Sequence, residues 1–282
     1  MSDPDTQNIE NLHRFSHGAM AGIFEIFIVH QDAVYASQAA QAAFDELGRI
    51  ENNLSRFIEN SDVSRINSLG KGRSLQIGLS TFECLQISIE MCRQTNGAFD
   101  ITLGNNSMKL DEINHTIELL DDNIKIDLGA IGKGCAADRM GQLLGEWGID
   151  TAMISAGQST ILPIGIPAGL PGWPVTISNP VDNQILKKLY LTSKALSASG
   201  LQKGSHIANP RTGKSAKGKL ACWATAKPAA VADALSTAFM VMSLDEIGVF
   251  CESHADTSAL IIKPGRKIEL IRLGCQCKNG EF

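Results

Sequence analysis

The chain has 282 residues, 44% of them apolar and 20% charged, which is enough for one large domain or two joined lobes and excludes a disordered or fibrous protein. Its 25 Lys plus Arg stand against 30 Asp plus Glu, a net charge of −5 with no basic stripe, so a nucleic-acid footprint is not expected. No run reaches the roughly 18 uncharged apolar residues of a membrane helix, and the acidic start lacks the pattern of a secretory leader, so the expected location is cytoplasmic.

The first predicted strand is Ile23 to His30. A helix follows with Ala40, Ala43, Leu47, Ile50 and Leu54 at three- and four-residue steps, one apolar stripe. A second helix is predicted to open with Ser80 and Glu83 in capping-box relation, to present Phe82, Leu85, Ile89 and Cys92 on one face, and to stop at Asn96-Gly97. Residues 114 to 128 alternate as two strands around Asp121-Asp122-Asn123, the second running into a glycine turn and a helix with Ala136, Met140, Leu143 and Trp147 inside. Residues 151 to 157 read as a short buried strand, and the Pro- and Gly-rich stretch 163–174 as a loop or lobe junction. Strands at 174–178, 186–191 and 220–226 come next. A helix from Val231 to Met242, a capped helix from Ser243 and a hairpin of 257–262 with 267–272 close the chain. The fold class is therefore α+β, a mixed α/β chain.

Three segments carry chemistry. The run from Asp127 to Gly134 ends a predicted strand and opens a helix, so free backbone N–H groups and the positive helix end face the turn, with Lys133 as a point charge. The glycines would let a phosphate approach, although the same pattern also makes a plain tight turn. Asp233 and Thr237 lie four apart on one helical face and are hard oxygen donors suited to Mg²⁺; a helix-dipole Asp and a back-bonded Thr give the same spacing. His206 precedes the turn Asn209-Pro210-Arg211-Thr212-Gly213 and is the one candidate base with an unperturbed pKa near neutrality. Seven cysteines (84, 92, 135, 222, 251, 275, 277) suit buried free thiols, since neither Cys251 with His254 nor Cys275 with Cys277 has zinc-site spacing.

Taken in order, Met20-Ala21-Gly22, Leu54-Ser55-Arg56-Phe57, Asn96 to Thr102, Ile126 to Gly134 with Ala137-Asp138, Ser199-Gly200, His206 to Gly213 and Ala232 to Ala238 span nearly the whole chain. In these segments the sequence resembles the FAD:protein FMN transferases, the ApbE-like family. The resemblance implies one ApbE-like unit, 1–282, of two intimately joined lobes with a flavin-binding cleft. It implies that Met20, Phe57, Ala98, Phe99 and Asp100 line the flavin and adenine portions of FAD, and that Asp127, Lys133 and Ile207 hold the rest. Mg²⁺ would take the Ala130 carbonyl with Asp233 and Thr237. The implied reaction transfers FMN from FAD to a Thr or Ser hydroxyl of an acceptor flavoprotein and releases AMP, with His206 and Asp233 as the catalytic pair. An FAD pyrophosphatase, or a binding protein that has lost transfer, is the alternative. Relatives usually carry Gly-Gly-Asp or Gly-Gly-Asn where this chain has Gly157-Gln158-Ser159, Asp where it has Asn209, and Met-Gly-Thr where it has Met20-Ala21-Gly22.

Overall fold

The computed structural model describes residues 9–105, 107–201, 207–265 and 269–274. In chain order the elements are β1 (Leu12–Ala19), β2 (Gly22–Val29), α1 (Ala33–Leu54), α2 (Asp62–Asn67), β3 (Ser74–Gln76), α3 (Leu79–Gln94), β4 (Met108–Asp111), β5 (Thr116–Leu119), α4 (Gly132–Glu146), β6 (Ala152–Ala156), β7 (Thr160–Ile164), β8 (Trp173–Ser178), β9 (Ile185–Leu191), β10 (Ala195–Gly200), β11 (Ala208–Asn209), β12 (Lys214–Ser215), β13 (Ala221–Ala226), α5 (Ala229–Val241), α6 (Leu244–Ser253), β14 (Ser258–Lys263) and β15 (Glu269–Gly274). Eight strands form one sheet in the order β1-β2-β6-β7-β10-β13-β14-β15, every neighbouring pair antiparallel. Helix and sheet coexist as expected from the sequence.

Strand alternation divides the apolar side chains between two cores. Phe24, Ile26 and Ile28 of β2 face the helices, joined by Cys222, Ala224 and Ala226 of β13 and the stripes of α1, α4 and α5. Phe27 of β2 and Trp223 of β13 face the other way and meet Trp173, Val175, Ile177, Leu189 and Leu191 from the β8–β9 hairpin. Residues 163–174 thus comprise the end of β7, a connection and the start of β8. Each sheet face is covered, which explains why so short a set of strands buries so much aliphatic surface.

Three sequence expectations need correction. The stretch 124–128 is no strand: Ile124, Ile126 and Leu128 are buried alternately, but Ile126 exchanges both backbone bonds with the Asn67 side chain (2.6 and 2.9 Å) instead of a strand. Helix α3 begins at Leu79 with no side-chain cap from its own sequence, so Ser80 and Glu83 form no capping box. The buried Asp62 at the start of α2 takes that role, accepting from Gly78 N (2.9 Å) and Thr81 Oγ1 (2.8 Å). Helix α2 and strands β1, β3, β4, β7, β10, β11 and β12 also lie outside the expected set. The capping box of α6 on Ser243 and Glu246 is present as expected.

Candidate functional site

Turns and helix ends converge on a cavity of about 610 Å³. Its wall includes Met20 and Ala21 from the β1–β2 turn, Ala98 to Ile101 after α3, the 127–133 turn before α4, Gly157 to Ser159 between β6 and β7, Ile207 before β11, and Asp233 and Thr237 on α5. Of the residues singled out in the sequence, Met20, Ala98, Phe99, Asp100, Asp127, Ala130, Lys133, Ile207, Asp233 and Thr237 are brought together here. Phe57 is not on the wall: it is 84% exposed, with the Arg56 guanidinium 4.7 Å over its ring, and Arg56 in turn pairs with Asp127 at 3.4 Å. His206 lies outside the described residues, as do Cys275 and Cys277.

Backbone strain is concentrated on this wall. Among the described residues, ten non-glycine positions have positive φ; six are Asn or His, which tolerate it, and the other four are Met20 (50°), Ala21 (55°), Leu103 (57°) and Gln158 (61°). All four line the cavity. Met20 and Ala21 form a two-residue hairpin turn with both φ positive, held by the Met20 N–H donating to Glu51 Oε1 at 2.6 Å. A fold that keeps four costly conformations in one place keeps them for the shape they give the wall. Gln158→Gly, which removes the Cβ from a left-handed position, is expected to raise the unfolding free energy by roughly 0.5–1 kcal/mol in a denaturant titration.

Asp233 is the electrostatic centre. Its side chain sits in a residue only 3% exposed; Oδ1 accepts from Ser197 Oγ (2.9 Å) and Thr160 Oγ1 (3.2 Å), and Oδ2 from the Gly134 N–H (3.0 Å). The last bond places the carboxylate against the positive end of α4, so one helix-end N–H expected for a ligand is spent on the protein's own anion. Among the described residues no Lys or Arg pairs with Asp233. Thr237 Oγ1 and Ser236 Oγ both meet Ser199 Oγ, at 2.9 and 2.8 Å. A buried carboxylate with lone-pair capacity left on Oδ2, a hydroxyl and the Ala130 carbonyl on the same wall make an all-oxygen donor set, which fits a hard cation completing its shell with water or phosphate.

The glycines of the 129–134 turn divide their work. A Cβ on Gly129 would stand 3.1 Å from Asp127 Oδ1, which already accepts the Gly129 N–H at 2.9 Å, and Gly129 is on the wall. Gly132 looks toward Leu54 Cδ1 (3.9 Å) and Gly134 into the α5 backbone, so neither clears space for a ligand as the sequence suggested. Lys133 lies on Gly157, where a Cβ would come within 2.9 Å of its Cδ. Asp100 organises its own loop, accepting from the Thr102 N–H and hydroxyl and from Gly104 N. Arg211 fastens the Asn209–Gly213 turn to the end of α3, donating to the Thr95 carbonyl (2.7 Å) and the Asn96 carbonyl (2.8 Å), and to α6 through Glu246 (2.7 Å).

Asp138, one turn further along α4, accepts from Ala229 N and Ala230 N, both at 2.8 Å, and so caps α5 from outside. Burial pushes its carboxyl up to about 6; the two amide bonds oppose that rise and the Asp233 charge adds to it. With the folded value above the usual 3.8, the folded state holds a proton between about pH 4 and 6 that the unfolded state has lost. Stability therefore falls as pH rises through that window, by up to about 3 kcal/mol. Unfolding titrations of the parent should show this slope and those of Asp138→Asn should lack it.

A sequence model described as the ApbE family matches residues 20–108 and 103–261. A curated relative from Buchnera aphidicola subsp. Schizaphis graminum, named FAD:protein FMN transferase, is 26% identical over 60% of this chain and 62% of its own length. One of the same name from Vibrio cholerae is 24% identical over 90% of this chain and 88% of its own. Among solved structures, an ApbE protein of Thermotoga maritima superposes with a TM-score of 0.82 at 24% identity, covering 92% of this chain and 96% of that one.

Proposed function

The chain belongs to the ApbE family, and from that premise we propose that it is an FAD:protein FMN transferase. The observation that carries the reading is the cavity in which a buried carboxylate with no Lys or Arg partner among the described residues, the Lys133 side chain and four strained backbone positions share one wall. Its volume of about 610 Å³ lies in the range of small-molecule sites. FAD is the substrate, its flavin end toward Met20 and Ala98 to Asp100 and its diphosphate toward Asp127, Lys133 and Ile207. Lys133 neutralises part of the diphosphate charge that repels an incoming oxygen. Ala130, Asp233 and Thr237 are the residues that would hold Mg²⁺, whose contribution when bound is to offset charge on the phosphate oxygens.

The bond formed joins a Thr or Ser oxygen of the acceptor flavoprotein to the FMN phosphorus, and the bond broken is the bridge to AMP, which leaves. His206 is the proposed acceptor of the hydroxyl proton. Asp233, fixed by the three hydrogen bonds it accepts, is a ligand and orienting group in this scheme. Gln158, in place of the usual glycine of relatives, narrows the wall where the acceptor must approach. The chain works as a single unit on this reading, in the cytoplasm; among the described residues no helix is long and apolar enough to cross a membrane.

Incubation of the purified protein with FAD, Mg²⁺ and an acceptor should yield AMP and a fluorescent flavin band that survives denaturing electrophoresis, and chelation should abolish both. AMP and free FMN without a labelled protein would replace transfer by hydrolysis, and FAD binding without AMP would leave a binding protein. Lys133→Ala is expected to raise the FAD Kd roughly tenfold in a fluorescence titration, the loss of one charge-assisted contact.

A further inference from the structure

A second cavity, about 270 Å³, shares no lining residue with the first and lies among α1, α3 and α4. Exposed Glu83 and Gln142 form its rim, and Cys84 and Cys135 lie in its wall. Cys84 comes from the first half of α3 and Cys135 from the first turn of α4, 51 residues apart in sequence. The Cys135 thiol donates to the Cys84 sulfur with the two sulfurs 2.9 Å apart. Nothing in the flavin chemistry uses either group.

We propose that Cys84 and Cys135 form a reversible dithiol–disulfide site, oxidised by hydrogen peroxide or a small organic hydroperoxide that enters this cavity. The ~2.05 Å bond of a disulfide requires the sulfurs to approach by under about 1 Å. The room beside them far exceeds the ~10–15 Å³ that admits one water-sized molecule. Cys135, the more accessible of the two, gives up its proton and attacks one peroxide oxygen; the O–O bond breaks and the other oxygen leaves as water (an alcohol from a hydroperoxide). The Cys84 sulfur then displaces hydroxide from the resulting sulfenic acid, and that hydroxide takes the Cys84 proton to leave as water. Two thiols lose two electrons in all and the peroxide gains them. The bond to Cys84 and burial hold the Cys135 proton tightly, so oxidation is slower than at an exposed thiol. The new bond ties α3 to the turn that carries Lys133 two residues before Cys135, and it closes a long loop of the unfolded chain.

The purified full chain would be treated with hydrogen peroxide, alkylated under denaturing conditions and digested. The peptides bearing Cys84 and Cys135 are expected as one linked species two hydrogens lighter than the pair, split by dithiothreitol, and the oxidised protein should melt roughly 5 °C or more above the reduced one. Cys84→Ser, or Cys84→Ala should the serine fold poorly, should show no linked species and no rise in melting temperature. Both peptides recovered fully alkylated, over-oxidised without linkage, or linked only to other cysteines would overturn the proposal. None of these readouts depends on flavin, so the site stands or falls apart from the transferase reading.

Discussion

Gly134→Val is expected to lower the unfolding free energy by at least about 3 kcal/mol, because α4 and α5 meet backbone to backbone at this residue. A Cβ at 134 would stand 2.5 Å from the Ala229 carbonyl oxygen and 2.6 Å from Ala230 Cα, atoms that cannot rotate aside as a side chain can. The helices approach so closely because α5 offers Ala229, Ala230, Ala232 and Ala234 and α4 offers Ala136 and Ala137, all buried. Separating them would also pull the Gly134 N–H from Asp233 and the first turn of α5 from its Asp138 cap. In a thermal melt the loss corresponds to a fall of roughly 6–12 °C. A melt within 1 °C of the parent would mean that the helices do not touch at this point, and the placement of Asp233 would go with them.

Much of this arrangement could be read from the residues, and the exceptions have physical causes. The long helix α1 was legible because its stripe is strictly periodic and fully apolar, and its buried set contains all five expected residues. Strand β10 was not, because Ala195 to Gly200 consists of small residues apart from Leu196, with no β-branched side chain. Its strand conformation comes from tertiary context: Ser197 and Ser199 reach Asp233, Ser236 and Thr237 across a narrow sheet–helix gap that only small residues allow. The edge strand β1 was hidden by Arg14, Ser16, His17 and Gly18, exposed positions that break the apolar alternation.

The site divides in the same way. Local motifs picked out Lys133, Asp233 and Thr237, since a turn and an i, i+4 pair are short-range patterns. Thr160 and Ser197, which supply two of the three bonds to Asp233, lie 73 and 36 residues from it and leave no local signal. The strained backbone of Leu103 is equally silent in sequence; only Gly104 and the Asn-rich stretch beside it mark a turn. Phe57, placed by resemblance, shows the reverse case: its segment is at the mouth through Arg56 and Asp127, while its own ring faces solvent.

Asp233→Asn should lower the rate of AMP release from FAD by roughly 10²–10³-fold while leaving the fold intact, which separates its charge from its shape. Asparagine keeps an oxygen for Ser197 and Thr160, so the bonds that tie β7 and β10 to α5 survive. Its amide nitrogen then faces the Gly134 N–H and loses that bond, a cost offset by no longer burying a carboxylate; the two effects leave stability within about 2 kcal/mol of the parent. Mg²⁺ tells the forms apart. A ligand that binds only the folded state at a hundred times its Kd stabilises it by about 2.7 kcal/mol, so the parent should melt several degrees higher with Mg²⁺ and FAD than with FAD alone, and the variant should not. A variant that keeps both the shift and the turnover would remove Asp233 from any cation site and leave it as the hub of a hydrogen-bond network. Loss of turnover with the shift retained would keep the cation at the site but assign its binding to the uncharged donors Thr237 and Ala130, with Asp233 needed for turnover in a role other than cation ligand.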